Sequence, residues 1–203
     1  MIDIVLSTRN PSKAEQIKTI FIGLPISVLT LSEAGIQGEA LEDGETLKDN
    51  ALKKARYAFE HVATGSWAMS DDTGLFIHAL NDEPGVKSAR WAGEGAATEE
   101  ITRYCLDRLK SKENRSASFE SVVALISPDG QEYFFSGKVN GVIVEKQKVP
   151  AQPKMPYSPL FKPEGSDKVW AEMTVEEENA ISHRGKAFRQ VREFLEKQLS
   201  IRR

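Results

Sequence analysis

Apolar residues recur along this chain at two spacings, and the spacings predict its elements. Ile2–Leu6 is a short β-branched run, read as a buried strand. In the following "STRNPSK", Asn10 suits an N-cap and Pro11 the first helical position. Ala14, Ile17, Phe21 and Leu24 then repeat at helical spacing, so a helix is predicted over Pro11–Ile22. In "GETLKDNALKKARYAFEHV", Thr46 and Asp49 have the spacing of a capping box, and Leu47, Ala51, Ala55, Ala58 and Val62 form one face. At about 100° per residue, Lys54 falls on that face while Lys53 and Arg56 point away from it. A lysine on the apolar face is the unusual member.

Further along, Trp67–Ser70 reads as a buried strand and Leu75–Leu80 as a second one, separated by a turn at Thr73-Gly74. Glu99–Leu109 reads as a helix. Ala117–Ser127 and Glu132–Gly137, joined by "PDG", read as a hairpin, with another strand at Gly141–Glu145. The proline-bearing "KQKVPAQPK" is read as an exposed loop. Thr174 and Glu177 repeat the capping-box spacing before a short helix, and Ser182 can cap the last one. In that last helix Phe188, Val191, Phe194, Leu195 and Leu199 make an apolar stripe, read as core with a dimer contact as the alternative. The alternation of elements gives an α/β protein with a mixed sheet.

The 203 residues suit a single domain spanning 1–203, or two small lobes sharing a sheet. A net charge of −3 leaves no electrostatic footprint for nucleic acid or an anionic membrane, so neither is expected as a partner. No stretch approaches the ~20 apolar residues of a membrane helix, and the N-terminal apolar run is too short for a signal peptide. A lone cysteine, Cys105, forms no internal disulfide, which suits a reducing cytoplasm.

"SDDTG" places Asp71 and Asp72 at the end of an apolar strand. Carboxylates there are costly unless paired or bound to a cation. One reading is a turn that Asp72 caps; the other is a ligand site at the carboxyl end of a strand. Three further stretches bear on the choice. "STRNPSK" sets a helix N-terminus directly after a strand, with Lys13 in its first turn; the glycines of a Walker A loop are missing. Lys13 there is either a solvated surface lysine or an anion partner. "ALEDGE" sets Glu42 and Asp43 ahead of the helix that carries Lys54, and Glu42, Asp71 and Asp72 could together hold Mg²⁺. "ISHRGK" brings His183, Arg184 and Lys186 to another helix start, either a charged surface or part of the same site. Carboxylates for a metal and cations for phosphates together suit a metal–triphosphate complex.

These blocks resemble the inosine triphosphate pyrophosphatases, which cleave deaminated purine nucleoside triphosphates to monophosphate and pyrophosphate. "LSTRNPSK" is similar to the family's phosphate loop, "EDGETLKDNALKKA" to its acidic turn and helix, "SDDTGLFIHALNDEPGVKSARWAG" to its most recognisable block, and "PEGSDKVWAEMTVEEENAISHRGKA" to its C-terminal signature. The resemblance implies an elongated mixed sheet flanked by helices, two lobes with a cleft between them, and a homodimer. It implies that Thr8, Asn10, Lys13 and Lys54 bind phosphate, that Glu42 and Asp72 hold Mg²⁺, and that Asp72 is also the general base. It implies substrate contacts at Thr73, Arg90, Ser182, His183 and Arg184. Whether Asp71 ligates the metal is left open.

The departures fall in one region. Where the family has Phe-Gly-Tyr/Trp-Asp-Pro, this chain has "MPYSP": Met155 replaces the stacking aromatic, Tyr157 is kept and Ser158 replaces the aspartate. Glu178 stands where the family has lysine, a charge reversal expected near the base. A donor replaced by an acceptor inverts or abolishes a preference worth about 1–3 kcal/mol, so altered base selectivity with hydrolysis retained is expected. Two rival readings remain: a non-catalytic nucleotide-binding protein, and the same chemistry on pyrimidine or otherwise modified triphosphates.

Overall fold

The structure is a computed structural model and describes residues 2–201. A single mixed sheet of seven strands runs through it in the order β2-β1-β3-β5-β6-β7, with β4 attached to β3. The strands are β1 (Ile2–Leu6), β2 (Ile26–Thr30), β3 (Trp67–Ile77), β4 (Glu83–Gly85), β5 (Ser116–Ile126), β6 (Glu132–Ile143) and β7 (Phe161–Pro163). The helices are α1 (Pro11–Ile20), α2 (Leu47–His61), α3 (Thr98–Arg108), α4 (Val175–Ile181) and α5 (His183–Ile201). The strands around β1 are parallel, and β3, β5 and β6 form a long antiparallel ribbon.

The helix starts form as the sequence predicts. Asn10 caps α1 by accepting from the Lys13 amide, and the Thr46–Asp49 and Thr174–Glu177 boxes both close. Lys54 is buried on the inner face of α2, and Lys53 and Arg56 are exposed. The apolar stripe of α5 is core: Phe188, Val191 and Leu195 are fully buried against β1, β3 and β5, and Phe194 packs beside them.

The strand boundaries differ from expectation. There is no turn at Thr73-Gly74; β3 continues through both residues and pairs with β5 from Ala68 to Ile77. Gly74 marks a close approach instead: a Cβ there would meet the Gly85 carbonyl of β4 and the Phe76 ring. The strands expected at Glu132–Gly137 and Gly141–Glu145 are one strand, β6. Its Gly137 lets the His183 carbonyl at the start of α5 lie directly on the sheet. β3 ends at Ile77, followed by a 3-10 turn at His78–Leu80.

The sheet carries two apolar centres. Around β1 and the first half of β3, Ile4, Leu6, Trp67 and Met69 pack on α1 and α5, while Ala51 and Ala55 of α2 cover Ala124 and Ile126. Around the second half of β3, Leu75, Ile77, Phe119, Ile143 and Phe161 pack with Ile101 and Cys105 of α3. The helices therefore gather into two lobes along one elongated sheet. Among the described residues, no helix is long and apolar enough to cross a membrane.

Candidate active site

The two lobes part where β3 changes partners. One edge of β3 is covered by β5 along nearly its whole length. The other edge pairs with β1 only over Trp67–Met69 and with β4 only over Leu75–Ile77. Ser70–Gly74 lies in the gap between them, and a cleft of about 350 Å³ opens there. Successive strand residues face opposite sides of a sheet, so Asp71 and Asp72 diverge. Asp71 meets α1 and α5: its Oδ1 is 3.1 Å from Lys13 Nζ and its Oδ2 3.5 Å from Arg184 Nε. Asp72 meets α2: its Oδ1 accepts from Lys54 Nζ at 2.7 Å and its Oδ2 from Asn50 Nδ2 at 3.3 Å. Both carboxylates line the cleft.

Lys54 also reaches Glu42 Oε1 at 3.4 Å. Two carboxylates from sequence-distant segments thus converge on one positive point. Asn50 holds the acidic loop in place, since its Oδ1 accepts from the Gly44 amide while its Nδ2 serves Asp72. On the opposite wall Thr8, Asn10 and Lys13 present the start of α1, where the helix dipole favours an anion. Asn10 Nδ2 also donates to the Lys154 carbonyl at 3.2 Å, which ties the phosphate-loop wall to the segment carrying Met155, Tyr157 and Ser158.

The two aspartates titrate in opposite directions. Burial works to raise Asp71, but Lys13 and then Arg184 outweigh it and hold the carboxyl well below the usual range. For Asp72 burial prevails over Lys54, and its pKa is raised. Burial pulls Lys13 below the ordinary lysine value. For Lys54, burial is overcome by Asp72, Glu42 and Asp71, which raise its pKa. Adjacent carboxyls with divergent affinities for protons can take separate roles, one held ionised and one able to accept a proton.

Most residues expected in the site line this cleft: Thr8, Asn10, Lys13, Glu42, Lys54, Asp72, Thr73, Met155, Tyr157, Ser158, Glu178, His183 and Arg184. Two do not. Arg90 ends a 3-10 turn and pairs with Glu94 at 3.6 Å, while its neighbours Ser88 and Ala89 line the cleft. Ser182 is buried as the cap of α5, accepting from the Gly185 amide at 3.0 Å. Two of the altered residues are engaged internally. Ser158 Oγ donates to the Met155 carbonyl and accepts from the Gln152 amide. Glu178 Oε2 accepts from Gln16 Nε2 at 2.6 Å.

Arg9, Gln16, Asn50 and Phe119 were not expected. Arg9 clamps the loop ahead of Glu42 through the Ile36 and Gly38 carbonyls. The signal for Asn50 was available in the sequence, four residues before Lys54 and on the same face. Nothing local marks the others.

His183 is 3% exposed, stacks on Phe119 at 4.8 Å, and neither ring nitrogen has a hydrogen-bond partner among the described residues. Burial first, then Arg184, lowers its pKa well below 6.5. The unfolded chain takes up this proton near pH 6.5 and the folded chain only well below that. Below about pH 6.5 the unfolded state therefore binds more protons, and stability falls on acidification by at most about 1.4 kcal/mol per pH unit. Urea midpoints between about pH 7.5 and 5.5 should drop less in His183→Gln than in the wild type. Equal drops would refute a neutral buried imidazole.

The family model described as "Ham1 family" matches residues 4–194. A protein from Caldanaerobacter subterraneus subsp. tengcongensis named dITP/XTP pyrophosphatase is 39% identical over 201 residues, covering 98% of each chain. One of the same name from Geobacter sulfurreducens is 40% identical over 197 residues, covering 96% of this chain and 97% of that one. Among solved structures, a HAM1 protein from Coxiella burnetii superposes with a TM-score of 0.83 at 34% identity, covering 97% of this chain and all of that one. The Staphylococcus aureus Ham1 protein superposes with a TM-score of 0.81 at 32% identity, covering 97% and 99%. With a match that runs almost from end to end in both sequence and fold, the chain belongs to the Ham1 family.

Proposed function

We propose that this protein is a nucleoside triphosphate pyrophosphatase acting on non-standard purine nucleotides such as inosine, deoxyinosine and xanthosine triphosphates. The observation that carries the reading is the convergence of Glu42 and Asp72 on Lys54, opposite a helix start that carries Lys13. That donor set fits a hard divalent ion, which takes a few carboxylates and leaves room for phosphate oxygens and water. Glu42 and Asp72 would hold Mg²⁺, which supplies neutralising charge beside the phosphates. The residues of the chain do the rest. Thr8 and Asn10 at the start of α1 bind phosphate oxygens, helped by the helix dipole, with Lys13 and Lys54 adding charge. Asp72 orients a water and takes its proton as the oxygen attacks the α-phosphorus. The α–β phosphoanhydride bond breaks, and pyrophosphate leaves with the electron pair, stabilised by the two lysines. Asp71, held ionised, keeps Lys13 and Arg184 facing the cleft.

The base-reading half is rewritten. Ser158 and Glu178 spend hydrogen bonds on the protein itself, and Met155 packs less rigidly than an aromatic ring. The reading therefore includes relaxed base selectivity with hydrolysis retained. It also includes the homodimer and the cytoplasmic setting that the sequence suggested. Pyrophosphate release should be measured with Mg²⁺ on inosine, xanthosine, standard and modified triphosphates. Turnover of the inosine and xanthosine compounds, with standard purines accepted within about tenfold, is expected. Strict rejection of standard purines would sink relaxed selectivity. No release from any triphosphate would sink the enzymatic reading in favour of a nucleotide-binding protein.

A further inference from the structure

Gln16 lies on the buried face of α1, three residues beyond Lys13, and is 3% exposed. Its amide bridges two charged side chains from another part of the chain. Nε2 donates to Glu178 Oε2 at 2.6 Å, and Oε1 accepts from Arg184 Nη1 at 2.5 Å. An amide has one donor end and one acceptor end, and here each partner admits only one of them. A guanidinium needs an acceptor and a carboxylate accepts a donor, so the orientation of the amide is chemically determined. Asn179 Nδ2 completes the lock by donating to the Gln16 carbonyl and to Thr19 Oγ1, both at 2.9 Å.

We propose that Gln16 is a positioning residue for Arg184, with Glu178 holding its amide the right way round. Arg184 is then gripped on two sides, by Gln16 at Nη1 and by Asp71 at Nε. Its Nη2 makes no hydrogen bond among the described residues and is left for a ligand in the cleft that Arg184 lines. Glu178 acts through Gln16 on a substrate-facing arginine, and its charge is used inside the protein. This rests on the cleft being the nucleotide site, and it gives the charge at position 178 a reason. A lysine there would offer only donors. Gln16 would turn its Oε1 toward the ammonium and its NH₂ toward Arg184, donor against donor.

The test is steady-state kinetics of pyrophosphate release from inosine triphosphate, paired with thermal melting. Glu178→Lys is expected to raise KM about tenfold or more with kcat changed less than about threefold, the loss of one hydrogen bond to a charged group. Adding Gln16→Glu supplies an acceptor for both cations, and this double variant should bring KM back to within about threefold of wild type. An unchanged KM in Glu178→Lys overturns the proposal. So does a double variant that regains its melting temperature but not its KM, since that separates packing from positioning. Should Glu178→Lys fail to fold, Gln16→Leu removes both bonds without burying a new charge and is expected to raise KM in the same way. Hydrogen exchange of the Gln16 side-chain amide, followed by NMR, reads the relay without catalysis. Protection in the wild type that is lost in Glu178→Lys supports it, and protection that persists overturns it. If the wild type releases no pyrophosphate, the functional reading fails while the exchange experiment still decides the relay.

Discussion

Asp72→Asn is expected to lower turnover by about three orders of magnitude while leaving the fold intact. The substitution keeps shape and volume at a buried position on β3, so the strand and its pairing with Val122 of β5 are unaffected. It removes the group that would take the proton from water and one of the two carboxylates that would hold the metal. The stability cost is moderated because burial already disfavours the ionised carboxyl. Lys54 keeps an amide acceptor and Glu42 at 3.4 Å, while the Asn50 contact at 3.3 Å becomes donor against donor, a cost of about 1–3 kcal/mol. Circular dichroism melting together with pyrophosphate release separates the two effects. Turnover within tenfold of wild type would remove Asp72 from the chemistry.

The second large effect falls on stability. Lys54→Met leaves the buried Asp72 carboxylate without its ion-pair partner at 2.7 Å, and Glu42 without its own at 3.4 Å. Removing one member of a buried pair costs up to about 3–5 kcal/mol, because the stranded carboxyl must stay desolvated as an ion or take up a proton. Urea unfolding of Lys54→Met without divalent ions should show a loss of that order. Adding Asp72→Asn should recover at least half of it, since the stranded charge is gone. Mg²⁺ should raise the melting temperature of Lys54→Met more than that of wild type, as binding to the folded state alone stabilises it. Strictly additive losses in the double variant would refute the coupling, and no cation effect would weaken the metal assignment.

The contrast between these residues shows what was legible. Lys54 stood out from helical phase alone, because a lysine on an apolar face has few explanations. Gln16 did not: glutamine at that phase is unremarkable until Glu178 and Arg184 arrive from 162 and 168 residues away. Arg90 shows the opposite case. Its block resembles the family, yet the 3-10 turn directs Ser88 and Ala89 to the cleft and pairs Arg90 with Glu94. The turn expected at Thr73-Gly74 failed because glycine serves close packing as well as bending, and only the strand opposite distinguishes the two.

What the sequence determined by itself is local. Helix starts at Asn10, Thr46 and Thr174, the buried face of α2, and the identity of the charged residues follow from neighbours three or four positions apart. The site belongs to tertiary structure. β1 leaves β3 after Met69, β4 joins it only at Leu75, and Asp71 and Asp72 fall in the interval with their side chains facing opposite sides of the sheet. Which strand edge stays unpaired depends on segments far apart in sequence competing for the same backbone groups, and no short window of residues carries that information.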